Sequence, residues 1–148
     1  MENTVSDIQG KWLIQASNFP MWLSGKRLNP SITYRAISDE TERLLDLVEY
    51  QKPNGKRKSI VGIDTVVKNG FEWRGKGLLK LLRSHWSVAG KNETILVIRF
   101  EASLVTPAGV DVLIRATDDK NADLKEILAN SFEKFGLTTT EFESLTWL

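Results

Sequence analysis

Over most of the chain, apolar and polar residues alternate with a period of two, and turn residues interrupt the alternation at regular intervals. The segments 11–17 (KWLIQAS), 32–37 (ITYRAI), 43–51 (RLLDLVEYQ), 58–67 (KSIVGIDTVV), 71–76 (FEWRGK), 83–89 (RSHWSVA), 94–103 (TILVIRFEAS) and 110–116 (VDVLIRA) read as strands. Between them stand a polar SDET, Pro53-Asn54-Gly55, Asn69-Gly70, Gly75 with Gly77, Gly90-Lys91-Asn92 and Pro107-Ala108-Gly109. Asn-Gly suits the positive φ angles of a tight hairpin turn. Short connections join antiparallel neighbours, so the pattern predicts an all-β, eight-stranded up-and-down meander. Closing it into a barrel removes the exposed edges. A barrel of that size is either filled by side chains or holds one small ligand.

The period changes after residue 121. Leu124, Ile127, Leu128, Phe132 and Phe135 fall on one stripe of a helix, with Asn121 as N-cap and Gly136 as the stop. This C-terminal helix is expected to cover the outside of the barrel. The closing FESLTWL reads as a short strand beside the first one.

Composition narrows the function. The 148 residues make one domain of ordinary size, taken as residues 1–148. Twenty basic residues against nineteen acidic ones speak against a nucleic-acid partner. There is no cysteine and a single histidine, His85, so neither a thiol nucleophile nor a transition-metal site is expected. No cofactor is implied. The N-terminal residues lack the pattern of a signal peptide and no apolar run is long enough to span a membrane, so the expected location is cytoplasmic.

Three anchors in order carry a family resemblance. They are Gly10-Lys11-Trp12 in the first strand after a short helical turn, Arg115 in VLIRATDD at the end of the eighth, and the tail of helix, Phe135-Gly136 and EFESLTWL. On an eight-strand meander, the chain resembles a lipocalin from about Asp7 to Trp147, and most of all the bacterial and apolipoprotein D-like branch. The resemblance implies that Arg115 packs across Trp12 at the closed end, which would make Gly10, Trp12 and Arg115 structural. It also implies binding of a small hydrophobic ligand. The T-D-Y segment of the family is absent from residues 95–101, and so are disulfide cysteines. The wider group that includes fatty-acid-binding proteins shares the barrel, but with ten shorter strands and a helical pair absent from this pattern.

The segment 17–30 (SNFPMWLSGKRLNP) combines loop punctuation with a run of large apolar groups. In an up-and-down barrel it lies at the open end, together with the connections near residues 75–81 and 105–109. One rim would then carry Phe19, Met21, Trp22, Leu78 and Leu79, and the other end only short polar turns. The segment is read as a lid or rim over a cavity. The alternatives to this leading reading are an inward plug, and a surface for a partner or a membrane. GKGLLKLL lacks a phosphate-loop pattern. It reads as a wide connection whose leucines join the rim, or as a basic amphipathic turn in transient contact with lipid headgroups.

Alternation sets Trp12, Ile14 and Ala16 on one face, and likewise Ile32, Tyr34 and Ala36. Phe71 and Trp73, then Trp86 and Val88, then Leu96, Ile98 and Phe100 complete the inner face. Trp22, Tyr34, Trp73, Trp86 and Phe100 are the candidate ligand contacts, although each also serves as ordinary core. His85 falls on the solvent face. Asp46, Glu49 and Asp64 are expected to face outward; one turned inward would suit general-base chemistry. Arg35 and Arg99 are also expected outside, and either would anchor a carboxylate or phosphate if turned inward. No catalytic motif appears, and the chain is read as a binding protein, not an enzyme. Its expected ligand is a fatty acid or lysolipid. The alternatives are an interaction module, as monomer or homodimer, that uses the apolar rim, and an isomerase-type activity in the cavity.

Overall fold

In a computed structural model, which describes residues 4–37, 42–77, 82–103, 107–117 and 123–148, eight strands close into an antiparallel barrel. They are β1 (Gly10–Ser17), β2 (Leu28–Ala36), β3 (Arg43–Gln51), β4 (Arg57–Val67), β5 (Gly70–Gly75), β6 (Arg83–Lys91), β7 (Ile95–Phe100) and β8 (Gly109–Arg115). Each pairs with the next in sequence, and β1 closes the ring by pairing with both β8 and β2. At the Asn-Gly hairpin between β4 and β5, Asn69 has φ 66° and Gly70 149°, as the dipeptide implies.

The short helix α1 (Thr4–Asp7) closes the base, where Ile8 is fully buried. The Trp12 indole N–H donates to the Ile8 carbonyl at 2.8 Å. The Arg115 guanidinium lies 3.8 Å above the Trp12 ring and donates to the carbonyls of Gln9 and Asp7. Gly10, at φ 110°, makes room: a Cβ there would stand 2.8 Å from Arg115 Nη1. The three anchor residues thus form one clamp across the closed end.

Helix α3 (Leu124–Ser131) lies against the outside of the barrel and tightens into a 3-10 turn over Phe132–Phe135. The turn ends at Gly136 in the left-handed conformation expected of a stop. Leu124, Leu128 and Phe135 are buried, whereas Ile127, expected on the same stripe, is exposed. Asn121 lies outside the described residues. The helix covers the outer faces of β7 and β8, where Ile95, Val97, Val110, Val112 and Ile114 form a second core. These two strands are therefore buried on both faces, which accounts for the unbroken apolar run ILVI in β7. The tail carries a further helix, α4 (Thr139–Ser144), where a strand was expected to begin. A capping box of Thr138 and Glu141 starts it, a T-x-x-E signal legible in the sequence. Only Thr146–Trp147 forms the closing strand, β9, which pairs with the end of β1.

Ala16 corrects the expected inner face. A bulge between Ile14 and Ala16 inserts one residue into β1 and inverts the facing of the residues beyond it. Trp12 and Ile14 point inward, while Ala16 joins the outer core.

Arg115→Ala is expected to lower unfolding stability by about 1–3 kcal/mol, from the lost cation–π contact and the orphaned carbonyls. Urea denaturation reads this out. Lost ligand binding at an unchanged midpoint would instead place Arg115 in the binding site.

Candidate functional site

The segment after β1 turns inward. Helix α2 (Pro20–Leu23) starts on a proline, which needs no N–H in the first turn. It carries Trp22 into the barrel mouth, where the indole meets Tyr50 edge-on at 6.2 Å. Phe19 is buried and stacks on Phe100 at 5.4 Å. Met21 packs against the same cluster, while Leu23 stays exposed. Polar bonds fasten this cover. The Ser17 hydroxyl donates to Asp111 at 2.5 Å and accepts the Phe19 N–H at 2.8 Å. Asn18 exchanges bonds with the Val110 backbone, and the Trp22 side chain is hydrogen-bonded to Asp111. Leu78 and Leu79 lie outside the described residues.

Beneath the cover the interior is aromatic. Trp86 stacks between Phe71 at 4.4 Å and Tyr34 at 5.5 Å, with Phe100 tilted at 6.3 Å. Trp73 is half-buried, and its indole lies across Gly62, where a Cβ would fall 2.2 Å from Nε1. The candidate contacts Trp22, Tyr34, Trp73, Trp86 and Phe100 therefore all belong to one inner cluster. In this arrangement they pack against one another.

The interior also holds carboxyl groups that the charge pattern places outside. Asp46, Asp64 and Asp111 are 5%, 0% and 2% exposed. Strand pairing dictates it: Asp46 stands opposite inward Tyr34, Asp64 opposite Trp73, and Asp111 opposite Ser17 and Ile98. Asp46 and Asp64 are diagonal neighbours across β3 and β4, and Asp64 accepts the Trp86 indole N–H at 2.9 Å. Oδ1 of Asp46 and Oδ2 of Asp64 are buried with no partner among the described residues. Burial raises both carboxyls above the ordinary range, and for Asp64 the charge of Asp46 raises it further. Burial likewise lifts Asp111 to about 7, against the bonds from Ser17 and Trp22. The Tyr34 hydroxyl is pushed up by burial and then by all three acids. Alternation alone places Asp46 correctly, because it shares a parity with inward Leu44 and Val48; on β4 both parities carry apolar residues, so alternation does not decide Asp64. The charge of both argues for the outside.

The remaining polar residues lie where expected. Glu49 faces Arg57 on the outside at 3.8 Å, and Arg35 is exposed. Arg99 makes a two-pronged pair with Glu141 of α4, at 2.8 and 2.7 Å. His85 lies on the outer face, its Nδ1 2.6 Å from the Glu101 carboxylate.

The barrel wall parts on one side. β1 pairs with β2 only over Gly10–Leu13, and β9 takes over at Ala16 and Ser17. On the β2 side, Asn29 adopts φ 50° and Pro30 has no N–H to give, so the ladder stops there. A cleft of about 590 Å³ opens in the gap, lined by Leu13, Ile14, Trp22, Leu28, Pro30 and Leu148, with Arg27 among them. The Arg27 guanidinium lies 5.5 Å from the Tyr50 ring centre and donates to the Met21 carbonyl. Its Nε is buried without a partner among the described residues. Nothing in the local sequence pattern distinguishes Arg27 from the other surface cations.

No family model matches the sequence, and no curated protein matches it either. Solved structures do. The siderocalin Ex-FABP superposes with a TM-score of 0.64 at 14% identity, covering 96% of this chain and 93% of that one. The odorant-binding protein OBP1 gives 0.61 at 13% identity, over 100% and 94%. The bovine lipocalin allergen Bos d 2 gives 0.58 at 13% identity, over 97% and 93%. These structures share the closed antiparallel barrel of eight strands with an external C-terminal helix. The chain has the lipocalin fold.

Raised carboxyl pKa values mean that the folded state holds these protons more tightly than the unfolded chain does. The stability they confer is full below about pH 4 and is lost as the pH rises through about 6 for Asp46 and about 7 for Asp111. Thermal unfolding from pH 4 to 8 should show this decline, and Asp46→Asn should flatten it. A melting temperature that rises across that range would contradict the placement of the acids.

Proposed function

We propose that the barrel binds a small hydrophobic ligand, reached through the cleft between β1 and β2 and covered by the 18–30 segment. The observation that carries this is the cleft itself: apolar walls, about 590 Å³ of space, and one cation with an unpartnered donor in its wall. A drug-sized ligand fits a pocket of that order. The lipocalin fold supports the reading, since a siderocalin with dual ligand specificities and an odorant-binding protein share it. Trp22 lines the cleft and also packs on the interior cluster, so this one side chain stands between the cleft and the barrel interior.

The finer assignment is a fatty acid or lysolipid whose carboxylate or phosphate rests on Arg27. A charge-assisted bond to Nε would satisfy the buried donor. A second reading draws on Leu23, Leu28 and Leu148, which are exposed around the same cleft and suit an apolar contact between proteins, including two copies of this chain.

Native mass spectrometry of the freshly purified protein, followed by extraction, tests for a retained ligand. Titration with fatty acids and lysolipids should quench tryptophan fluorescence, and Arg27→Ala should weaken binding about tenfold, as loss of a charge-assisted bond implies. If no member of the panel binds while the protein forms a dimer that Leu28→Glu dissociates, the interaction reading replaces this one.

A further inference from the structure

We propose that the barrel floor, between Asp46, Asp64 and the indoles of Trp73 and Trp86, is a subsite for a protonated amine carried on a hydrophobic body. This rests on the reading that the barrel interior is the ligand site, and it names the chemistry of the ligand's inner end. Two buried carboxyl groups each keep an oxygen without a partner among the described residues. Acceptors left unpaired in a low-dielectric interior are costly, and a donor that reaches both removes that cost. An ammonium has three N–H donors and one positive charge, enough to bridge two oxygens of a carboxyl pair.

The surrounding walls favour the same partner. Trp86, stacked between Phe71 and Tyr34, turns its N–H edge to Asp64, so the carboxyl pair stands against an aromatic wall that shields a bound charge from water. Two cations at the closed end are engaged elsewhere, Arg115 on Trp12 and Lys91 on Asp7 at 3.0 Å. The way in lies at Trp73. It is half-buried, stands opposite Asp64, and covers Gly62, which stands opposite Asp46. Because Gly62 has no side chain, the indole has room to turn beside the two acids. A fatty acid held at Arg27 would offer the floor only methylene groups and leave both oxygens unpaired.

The test is calorimetric titration of the full chain at pH 7 with decylamine, decanol and decanoate, which share a body and differ in the polar end. Decylamine is expected to bind about tenfold more tightly than decanol, the increment of one charge-assisted contact. Asp64→Asn should remove that advantage and leave decanol affinity within about twofold. Asp46→Asn provides the same comparison should Asp64→Asn fold poorly, with circular dichroism confirming the barrel. Equal affinity for all three probes, or an amine preference unchanged in both variants, overturns the subsite. Binding of decanoate alone, abolished by Arg27→Ala, overturns it while upholding the anionic-ligand reading. Binding of none of the three overturns the barrel as the ligand site, and the subsite with it.

Discussion

The fold depends on β1 being paired on both sides. A meander of eight strands has two edges, and only the first strand can join them. The Trp12–Arg115 clamp fixes that closure at the point where β8 returns to β1, since the two residues are direct ladder partners. One guanidinium there stacks on an indole and also satisfies carbonyls of the segment entering the barrel. Everything above the clamp inherits its register, including which side chains of β2 and β8 face inward. Bulges and a proline then release β1 from strict pairing towards the mouth, which leaves room for the cover and the cleft.

Much of this architecture is legible in the residues. Strand count, order and the outer helix follow from a change of period, and the clamp from three anchors in sequence. Where expectation and structure part, the causes are particular. Ala16 falls inward only if strict alternation is carried across Gln15, and a one-residue bulge leaves no mark in an alternating pattern. Asp46 falls outward only if charge is weighed above parity, although Leu44 and Val48 on β3 share its parity, and on β4 parity leaves Asp64 undecided. The α4 capping box is visible in the sequence, but the apolar residues around it also suit a strand. Arg27 acquires meaning only from the divergence of two strands, which depends on the backbone angle at Asn29 and on the approach of the distant C-terminal residue Leu148. The aromatic candidates do meet in one cluster, because those on strands each lie on the inward parity of their own strand.

The interior combines two demands. Aromatic stacking fills the barrel and supports the fold, while three acids make the same space polar and sensitive to protonation. A core selected for stability alone would replace each carboxyl with an apolar group of similar size. Retaining them gives the interior a preferred sign of charge. The cover is bound to one of the acids, Asp111, through Ser17 and Trp22, so the polarity of the interior extends to the segment that closes it.

The gap beside β1 also gives the barrel a seam. β1 and β2 share four paired positions, as do β5 and β6, whereas β3 and β4 share nine. Of these two short zippers, the one between β1 and β2 borders the cleft, so parting there widens an opening that already exists. The remaining strands would stay joined as a curled sheet hinged along β8, with the outer helix as its backing. A cylinder with one weak line can flex open along its length and shut again without unravelling, which a uniformly stitched barrel cannot do.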